Sequence, residues 1–276
     1  MADRLAALEV RSKLVPMTTS GDRGAPLTSS PAGLKGLWVT DIVDALQHGE
    51  IDLAVHSAKD LPSEDDEGVV VAAVPERAVP FDLLVSRDPG VPAGGAVGSS
   101  SLRRRGQLAA ARPDLRVVEI RGNVDTRLRK LAEGEVEGLV LAAAGLARLG
   151  VEAEHGEVLG ADVMVPAPGQ GALAVQARTE GPARDAVRAI EDGPSRLAFE
   201  AERALVRFVG GGCALPLGAL ATVEGSEIRL TAVVLRQDGT GAVRAEAGGD
   251  APEAVAREVA DRLLAGGAAA ILEEVR

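Results

Sequence analysis

The chain has 276 residues, 46% of them hydrophobic, which is enough for about two domains with buried cores. Its net charge is −11, and it has three Phe, one Trp and no Tyr, so it lacks the basic field and the stacking rings of a general nucleic-acid-binding protein. Its single cysteine excludes an intrachain disulfide framework, and the sequence shows neither a signal peptide nor an apolar run of membrane-spanning length. We therefore expect a cytoplasmic monomer with neither nucleic-acid nor membrane partners.

In chain order, short apolar runs first alternate with amphipathic segments. The predicted strands are 51–55, 69–74, 115–120 and 139–142, and the predicted helices are 40–47, 102–111 and 125–132. This alternation is typical of parallel sheets built from strand-helix-strand units. Two segments rich in proline and glycine, 75–80 and 166–171, are predicted hinges.

After Pro194 the pattern changes. A long amphipathic helix is predicted at 195–208, followed by strands at 219–223, 228–235 and 242–247 and by a last helix at 252–264. The dipeptides Glu224-Gly225 and Asp238-Gly239 favour hairpin turns between these strands. This part of the chain is expected to form a small α+β unit.

The single cysteine, Cys213, lies in the segment Gly210-Gly211-Gly212-Cys213-Ala214-Leu215-Pro216. Glycines let the backbone approach a neighbouring surface or a ligand closely, which favours a presented side chain. A lone cysteine is more often an inert hydrophobic residue of a core than a nucleophile or an attachment point. From this segment alone both interpretations remain open.

A second candidate site follows the strand 51–55, in His56-Ser57-Ala58-Lys59-Asp60-Leu61-Pro62. Open α/β sheets bind ligands at the carboxyl ends of their strands, so Asp60 is a candidate acid or base with Lys59 beside it. The alternative is a surface Lys-Asp ion pair, which spacing alone favours. His56 is expected to be a structural histidine that faces the core.

Two turns between a strand and a helix carry hydroxyl groups and arginines. The first, Gly98 to Arg105, presents Ser100, Ser101, Arg103 and Arg104 at a helix N-terminus, where free N–H groups favour an anion; Arg105 is expected to be solvated. The second places Arg121 and Arg127 after the strand 115–120, although Arg127 could instead be an i,i+4 helix partner. Nine basic and three acidic residues between Gly98 and Lys130 suit a small polyanion, and Arg148 adds a weaker candidate after the strand 139–142.

These motifs together resemble the porphobilinogen deaminase family, also called hydroxymethylbilane synthases. The resemblance covers nearly the whole chain, and the segments His56 to Pro62 and Gly211 to Gly218 are its most specific parts. The matching segments, in the family's order and approximate spacing, are Lys35 to Trp38, Asp52 to Pro62, Gly98 to Arg105, Arg121 to Arg127, Ala144 to Gly150, Pro166 to Ala172 and Gly211 to Gly218.

The resemblance implies a fold of two type II α/β domains, like those of periplasmic binding proteins, and a small C-terminal α+β domain. We expect the first domain to comprise residues 1–77 and 171–193, the second 78–170 and the third 194–276. It also implies a transferase of tetrapyrrole synthesis, which joins four porphobilinogen molecules head to tail with loss of ammonia and passes hydroxymethylbilane to uroporphyrinogen-III synthase.

Residue roles follow from the same resemblance. A dipyrromethane cofactor, built from two substrate units, is expected on Cys213 through a thioether, and no metal is expected. Asp60 matches the family's catalytic carboxylate, which protonates the departing amine and stabilises a cationic azafulvene-like intermediate. The expected cofactor-binding residues are Lys59, Ser100, Ser101, Arg103, Arg104, Arg121 and Arg127, and the expected substrate-binding residues are Arg148, Trp38 and Lys35.

The chain also departs from the family pattern. About the first 20 residues of that pattern, with a strand and an Arg-x-Ser motif, have no counterpart before Met1, and Val79-Pro80-Phe81-Asp82 replaces an Asp-Pro-Arg-Asp run. We expect a start placed too late in the gene rather than a defective copy. Two alternatives remain: an inactive or divergent deaminase homologue, and a non-catalytic bilobal protein that binds a small anion.

Overall fold

The computed structural model describes residues 1–17, 31–210 and 215–275, and of residues 31–38 only the backbone. Two short 3-10 turns, Ala58–Asp60 and Arg188–Ile190, accompany the helices and strands. In chain order these are α1 (Ala2–Ala7), α2 (Pro31–Gln47), β1 (Leu53–Ser57), β2 (Val69–Ala73), β3 (Asp82–Ser86), β4 (Ala96–Gly98), α3 (Leu102–Ala111), β5 (Arg116–Val118), α4 (Val124–Ala132), β6 (Gly138–Ala142), α5 (Ala143–Leu149), β7 (Gly156–Leu159), β8 (Leu173–Arg178), α6 (Pro182–Ala186), α7 (Gly193–Phe208), β9 (Leu217–Glu224), β10 (Glu227–Val234), β11 (Val243–Gly249), α8 (Pro252–Ala265) and α9 (Ala268–Glu273).

The first sheet has the strand order β1-β8-β2, and β8 pairs antiparallel with both neighbours. The expectation of a parallel sheet is therefore wrong for these pairings, because a strand that sequence analysis missed lies between two predicted ones. Val43 and Leu46 of α2 pack against this sheet. Phe199 of α7 is buried in the same core, so the first helix of the C-terminal unit joins the first sheet by apolar packing.

The second sheet is mixed, with the strand order β5-β4-β6-β3-β7. Strand β4 is parallel to β5 and β6, whereas β3 is antiparallel to β6 and β7. The parallel arrangement that the sequence predicts is confirmed at β4, β5 and β6. Because α3 follows β4 and α4 follows β5, the N-termini of both helices lie at the same edge of the sheet, where α/β proteins bind ligands.

The third sheet is antiparallel, with the order β11-β10-β9, and α7 and α8 pack their apolar residues against it. The predicted hairpin after Glu224 is confirmed, since Glu224 pairs with Glu227 and Gly225 has a φ of +62°. The predicted α/β class with a C-terminal α+β unit is confirmed by these sheets. The domain boundaries stay a prediction.

The two segments predicted as hinges lie against each other. The Ala78 amide donates to the Gly171 carbonyl at 3.2 Å, and a Cβ on Gly171, which has a φ of +86°, would lie 2.5 Å from the Ala78 oxygen. Gly169, with a φ of +73°, lies against the Ala58–Asp60 turn instead, and a Cβ on it would lie 2.8 Å from the Lys59 nitrogen. Glycine is required at both positions, because a side chain on Gly171 would separate the two segments and a side chain on Gly169 would clash with the Ala58–Asp60 turn. Hinge motion itself stays a prediction.

The carboxylate of Glu202, on α7, joins these segments to the third sheet. Glu202 is 0% exposed and accepts hydrogen bonds from both terminal nitrogens of Arg77, at 2.7 and 3.1 Å. The Gly169 amide donates to it at 2.6 Å and the Ala221 amide at 2.7 Å. Each carboxylate oxygen thus accepts from one guanidinium nitrogen and one backbone amide, which is a fully used buried acceptor.

We expect Glu202→Gln to destabilise the protein by about 3 kcal/mol, because the amide NH₂ must face N–H donors and the buried Arg77 loses its counter-charge. Urea unfolding measures this change. Glu200→Gln, at an exposed position of the same helix, is the matched control and should change stability by less than about 0.5 kcal/mol. Equal effects of the two substitutions would contradict the role given to Glu202.

Candidate active site

A cavity with an empty volume of about 670 Å³, including the part open to solvent, lies where chain segments next to each of the three sheets meet. Its wall combines the Ala58–Asp60 turn, the N-terminus of α3, residues 167–169, one face of α7 and the start of β9. A concave site that draws on several structural units is the usual place of a ligand or active site.

The charged side chains that line this cavity are all cationic. They are Lys59, Arg103 and Arg203, and no Asp or Glu lies among the described lining residues. Fixed cations in a partly enclosed space attract anions, and guanidinium groups bind carboxylates especially well. The lining also contains Leu215 and Leu217, directly after the cysteine loop. Cys213 itself falls at 211–214, outside the described residues.

The Lys59–Asp60 turn is fixed from two sides. Leu61, next in sequence, is buried, and the close approach of Gly169 holds the backbone at Lys59. Asp60 is half-buried, and its two neighbours in sequence, Lys59 and Leu61, both line the cavity. The structure therefore places the predicted acid or base beside the cavity, on a turn whose backbone is well packed.

His56, at the end of β1, is buried as expected. Burial lowers its pKa below the usual value, and the Gln176 side chain and the charge of Asp60 only partly oppose this. His56 is accordingly neutral at pH 7. Its Nε2 atom has no hydrogen-bond partner among the described residues.

The N-terminus of α3 carries the predicted serine-arginine turn. Ser101 caps the helix, its hydroxyl accepting from the Arg104 amide at 3.5 Å, and it also lines the cavity. The Ser100 hydroxyl donates to the Ile120 carbonyl at 2.8 Å. Arg105, expected to be solvated, is half-buried with its Nε atom enclosed, so that expectation is wrong.

Arg103 and Arg104 converge on one carboxylate, that of Asp82 at the start of β3. Arg103 Nη1 lies 2.8 Å from Asp82 Oδ2, and Arg104 Nη2 lies 2.7 Å from Oδ1. The Gln170 amide donates to the same Oδ1 at 3.0 Å. Sequence analysis did not include Asp82 among the site residues. In the sequence, Asp82 stands at the start of the short apolar strand β3, and that strand was not predicted either.

Asp82 is an unusual carboxylate because it is 0% exposed yet charged. Burial alone would raise its pKa, but the charges of Arg104 and Arg103 and the hydrogen bonds from Arg103 and Gln170 outweigh burial and hold the pKa well below the usual value. Both arginines therefore have an internal counter-ion. Arg103 nevertheless lines the cavity, and its Nε atom has no hydrogen-bond partner among the described residues.

Arg127, on α4, contacts the serine-arginine turn at the N-terminus of α3. Its Nε donates to the Gly122 carbonyl at 2.7 Å and its Nη2 to the Ser100 hydroxyl at 3.3 Å. Burial lowers its pKa, and the nearby charge of Arg104 lowers it further. Two guanidinium groups that repel each other are stabilised when an anion binds between them.

The remaining predicted residues lie elsewhere. Arg121 is 74% exposed in its side chain and pairs with Glu119 at 2.7 Å, so the structure does not bring it to Arg127, and its role stays a prediction. Arg148 donates to the Gly171 carbonyl at 2.8 Å, and its pKa is lowered by burial and by the charge of Arg4. The side chains of Lys35 and Trp38 fall outside the described residues.

Two searches of the described residues gave no candidates. No group of three or more His, Cys, Asp or Glu side chains has a metal-binding arrangement within the described ranges. Among the helices of those same ranges, none has the length and apolarity needed to cross a membrane.

The fold and the cavity define a class: an α/β protein with an added α+β unit and a cationic cavity suited to small carboxylates. Comparisons with known proteins identify the family. Residues 1–185 match the family described as "Porphobilinogen deaminase, dipyromethane cofactor binding domain", and residues 196–265 match "Porphobilinogen deaminase, C-terminal domain". The chain belongs to the porphobilinogen deaminase family.

Similar curated proteins agree over nearly the whole chain. The porphobilinogen deaminase of Brevibacillus brevis is 44% identical over 98% of this chain and 89% of its own length. That of Rubrobacter xylanophilus is 48% identical over 94% of this chain and 86% of its own length. The predicted family is thus confirmed, and so is the dipyrromethane cofactor as the group that this family's first domain binds.

Solved structures give a weaker likeness. A periplasmic solute-binding protein from Desulfovibrio salexigens has a TM-score of 0.37 at 12% identity, covering 69% of this chain and 64% of that one. The substrate-binding protein of an amino acid ABC transporter has a TM-score of 0.32 at 16% identity, covering 68% and 76%. Both are proteins of the periplasmic-binding type, but such scores are too low to support an inference about function.

We expect Asp82→Asn to destabilise the protein at pH 7 by about 3 kcal/mol, because it leaves two buried arginines without a counter-ion. The pKa of Asp82 is lower in the folded state, so its contribution is fully present above its unfolded pKa of about 3.9 and is lost as the pH falls toward the folded value. The Asn variant should therefore show a flatter dependence of stability on pH between about 5 and 2.

Urea unfolding across this pH range measures both effects. Asp88→Asn is the control, since Asp88 makes a surface pair with Arg87 and its side chain is 74% exposed. The assignment fails if the Asp82 variant loses stability with acid as steeply as the unaltered protein.

Proposed function

We propose that this chain is a porphobilinogen deaminase, a transferase that joins four porphobilinogen molecules head to tail with release of ammonia and yields hydroxymethylbilane for tetrapyrrole synthesis. The observation that carries this proposal is the family match over both parts of the chain, combined with a cationic cavity bounded by the Lys59–Asp60 turn and the residues after Cys213.

The residues of the cavity fit a dipyrromethane. This group has two flat pyrrole rings with acetate and propionate side chains, so it needs both apolar walls and cations. Phe199 and Leu217 supply apolar surface, and Lys59 and Arg103 supply cations, one of them with an unpartnered enclosed Nε. Cys213 would hold the group covalently beside this wall. When bound, it supplies a tethered pyrrole to which substrate units are added.

We assign the proton chemistry to Asp60, because its segment His56 to Pro62 resembles the family's catalytic motif. The amine of porphobilinogen must leave as ammonia, which requires a proton and leaves a cationic centre on the substrate. A carboxylate held on a packed turn beside the cavity can deliver that proton and then stabilise the positive charge. Lys59, next to it and lining the cavity, is suited to hold a substrate carboxylate in the orientation that brings the amine to Asp60.

Further properties are part of the same proposal. The composition supports a cytoplasmic monomer without nucleic-acid or membrane partners, and the product is passed on to uroporphyrinogen-III synthase. The domains are 1–77 with 171–193, 78–170 and 194–276. Arg104, Arg127, Ser100 and Ser101 contribute to binding the cofactor's carboxylates, and Arg148 contributes to binding those of the substrate.

The intact mass of the purified protein tests the cofactor. After folding with porphobilinogen, the mass should exceed the sequence mass by two pyrrole units, and an acid aldehyde reagent should give a dipyrrole colour. Cys213→Ala should remove both signals, because the thioether needs the sulfur. An unmodified mass in the unaltered protein would instead support an inactive homologue.

Asp60→Asn, in protein whose cofactor loading is verified by intact mass, should keep the fold but lower the rate of bilane formation by about 10²- to 10⁴-fold, the usual contribution of a positioned acid or base. Asp66→Asn, at an exposed position of the loop after Asp60, is the control and should keep full activity. Near-normal bilane production by the Asp60 variant would refute its assigned role.

A further inference from the structure

Arg203 is a cavity-lining cation that the predicted set of binding residues does not include. It lies on α7, one turn after Phe199, and its guanidinium carbon is 5.6 Å from the centre of the Phe199 ring. Its Nε donates to the Pro62 carbonyl and its Nη2 to the Asp65 carboxylate, both at 3.0 Å. Arg203 therefore connects the cavity wall to the loop that follows Asp60.

The ion pair with Asp65 differs from the buried pairs of this protein. Asp65 is 32% exposed in its side chain, and it lies in an acidic loop with Glu64, Asp66 and Glu67. A half-exposed pair of this kind contributes little to stability, so another carboxylate can replace Asp65. Arg203 itself is only 13% exposed, which keeps its position fixed and its charge poorly screened by solvent.

The growing product raises the need for such a cation. Each porphobilinogen unit adds an acetate and a propionate, so the number of carboxylates in the cavity rises at every step. Arg103 and Arg104 already share the internal counter-ion Asp82. Arg203 lines the same cavity, and its half-exposed counter-ion can be exchanged for a ligand carboxylate.

We propose that Arg203 binds a carboxylate of the elongating pyrrole chain and gives up Asp65 when it does so. This inference rests on the proposed function. When a ligand carboxylate replaces Asp65, Arg203 contacts the loop after Asp60 only through its hydrogen bond to the Pro62 carbonyl. The loop is then held less firmly. Arg203 then serves the longer enzyme-bound chains, at the wall of the cavity that α7 forms.

Two substitutions separate this role from that of a structural anchor, because both break the same ion pair and only one removes the cation. Arg203→Gln removes the cation, whereas Asp65→Asn keeps it and frees it for a ligand. Arg207→Gln is the matched control one turn further along α7, where Arg207 is exposed and 3.7 Å from Glu253. Each variant is prepared with its cofactor, and intact mass verifies the loading.

The readouts are the KM for porphobilinogen and, with limiting substrate, the mass distribution of protein that carries one to four added units. Arg203→Gln should raise KM roughly tenfold and deplete the longer bound chains, as expected for loss of a charged hydrogen bond. Asp65→Asn should keep KM within about twofold of the unaltered protein, or lower it, without this depletion. Arg207→Gln should change neither readout.

Equal effects of Arg203→Gln and Asp65→Asn overturn the proposal, because they show that the ion pair is only an anchor. An unchanged KM and mass distribution in Arg203→Gln overturn it as well. If that variant does not fold, Arg203→Met decides by the same criteria, since it removes the charge but keeps a long apolar side chain beside Phe199. A lack of cofactor mass in the unaltered protein contradicts the proposed function instead, so the two failures are distinct.

Discussion

The buried carboxylate of Asp82 is the constraint on which the cavity depends. It allows two adjacent arginines of α3 to be buried, since without a counter-ion neither charge could leave water. Gln170 binds it too, and the Gln170 carbonyl accepts from Arg77, whose guanidinium pairs with Glu202. Gln170 thereby links the two buried carboxylates, those of Asp82 and Glu202. This link fixes the N-terminus of α3, residues 167–169 and α7 around the cavity.

This arrangement changes what the arginines can do for a ligand. A freely solvated arginine loses hydration when it binds a carboxylate, whereas Arg103 and Arg104 are already desolvated and oriented by Asp82. Preorganised donors of this kind stabilise charge without reorganisation when the ligand arrives. Because Asp82 neutralises only one of the two charges, the pair keeps a net positive charge beside Lys59 and Arg127.

The sequence predicts local structure here better than long-range pairing. Helix α3 was predicted with the observed bounds, because a serine caps its start and Pro113 follows its end. Strand β8 was missed, since the polar Gln176 breaks its apolar run and nothing local shows that it pairs between β1 and β2. Arg103 and Arg104 were predicted at an anion-binding turn, and Arg103 lines the cavity, but the burial of both depends on Asp82, some twenty residues earlier on a strand that only the tertiary fold brings close.

The cationic side chains of the cavity differ in how they are held, and this difference has a chemical use. Arg103 has a fully buried counter-ion, which suits a part of the site that must hold the permanent cofactor in one position. Arg203 has a half-exposed counter-ion on an acidic loop, which suits a part that is filled only as the product lengthens. A site with cations of equal strength throughout would hold the finished chain as firmly as the first unit. Under the proposed function, graded pairing would bind the tethered end tightly and the growing end exchangeably, so that elongation and release remain compatible.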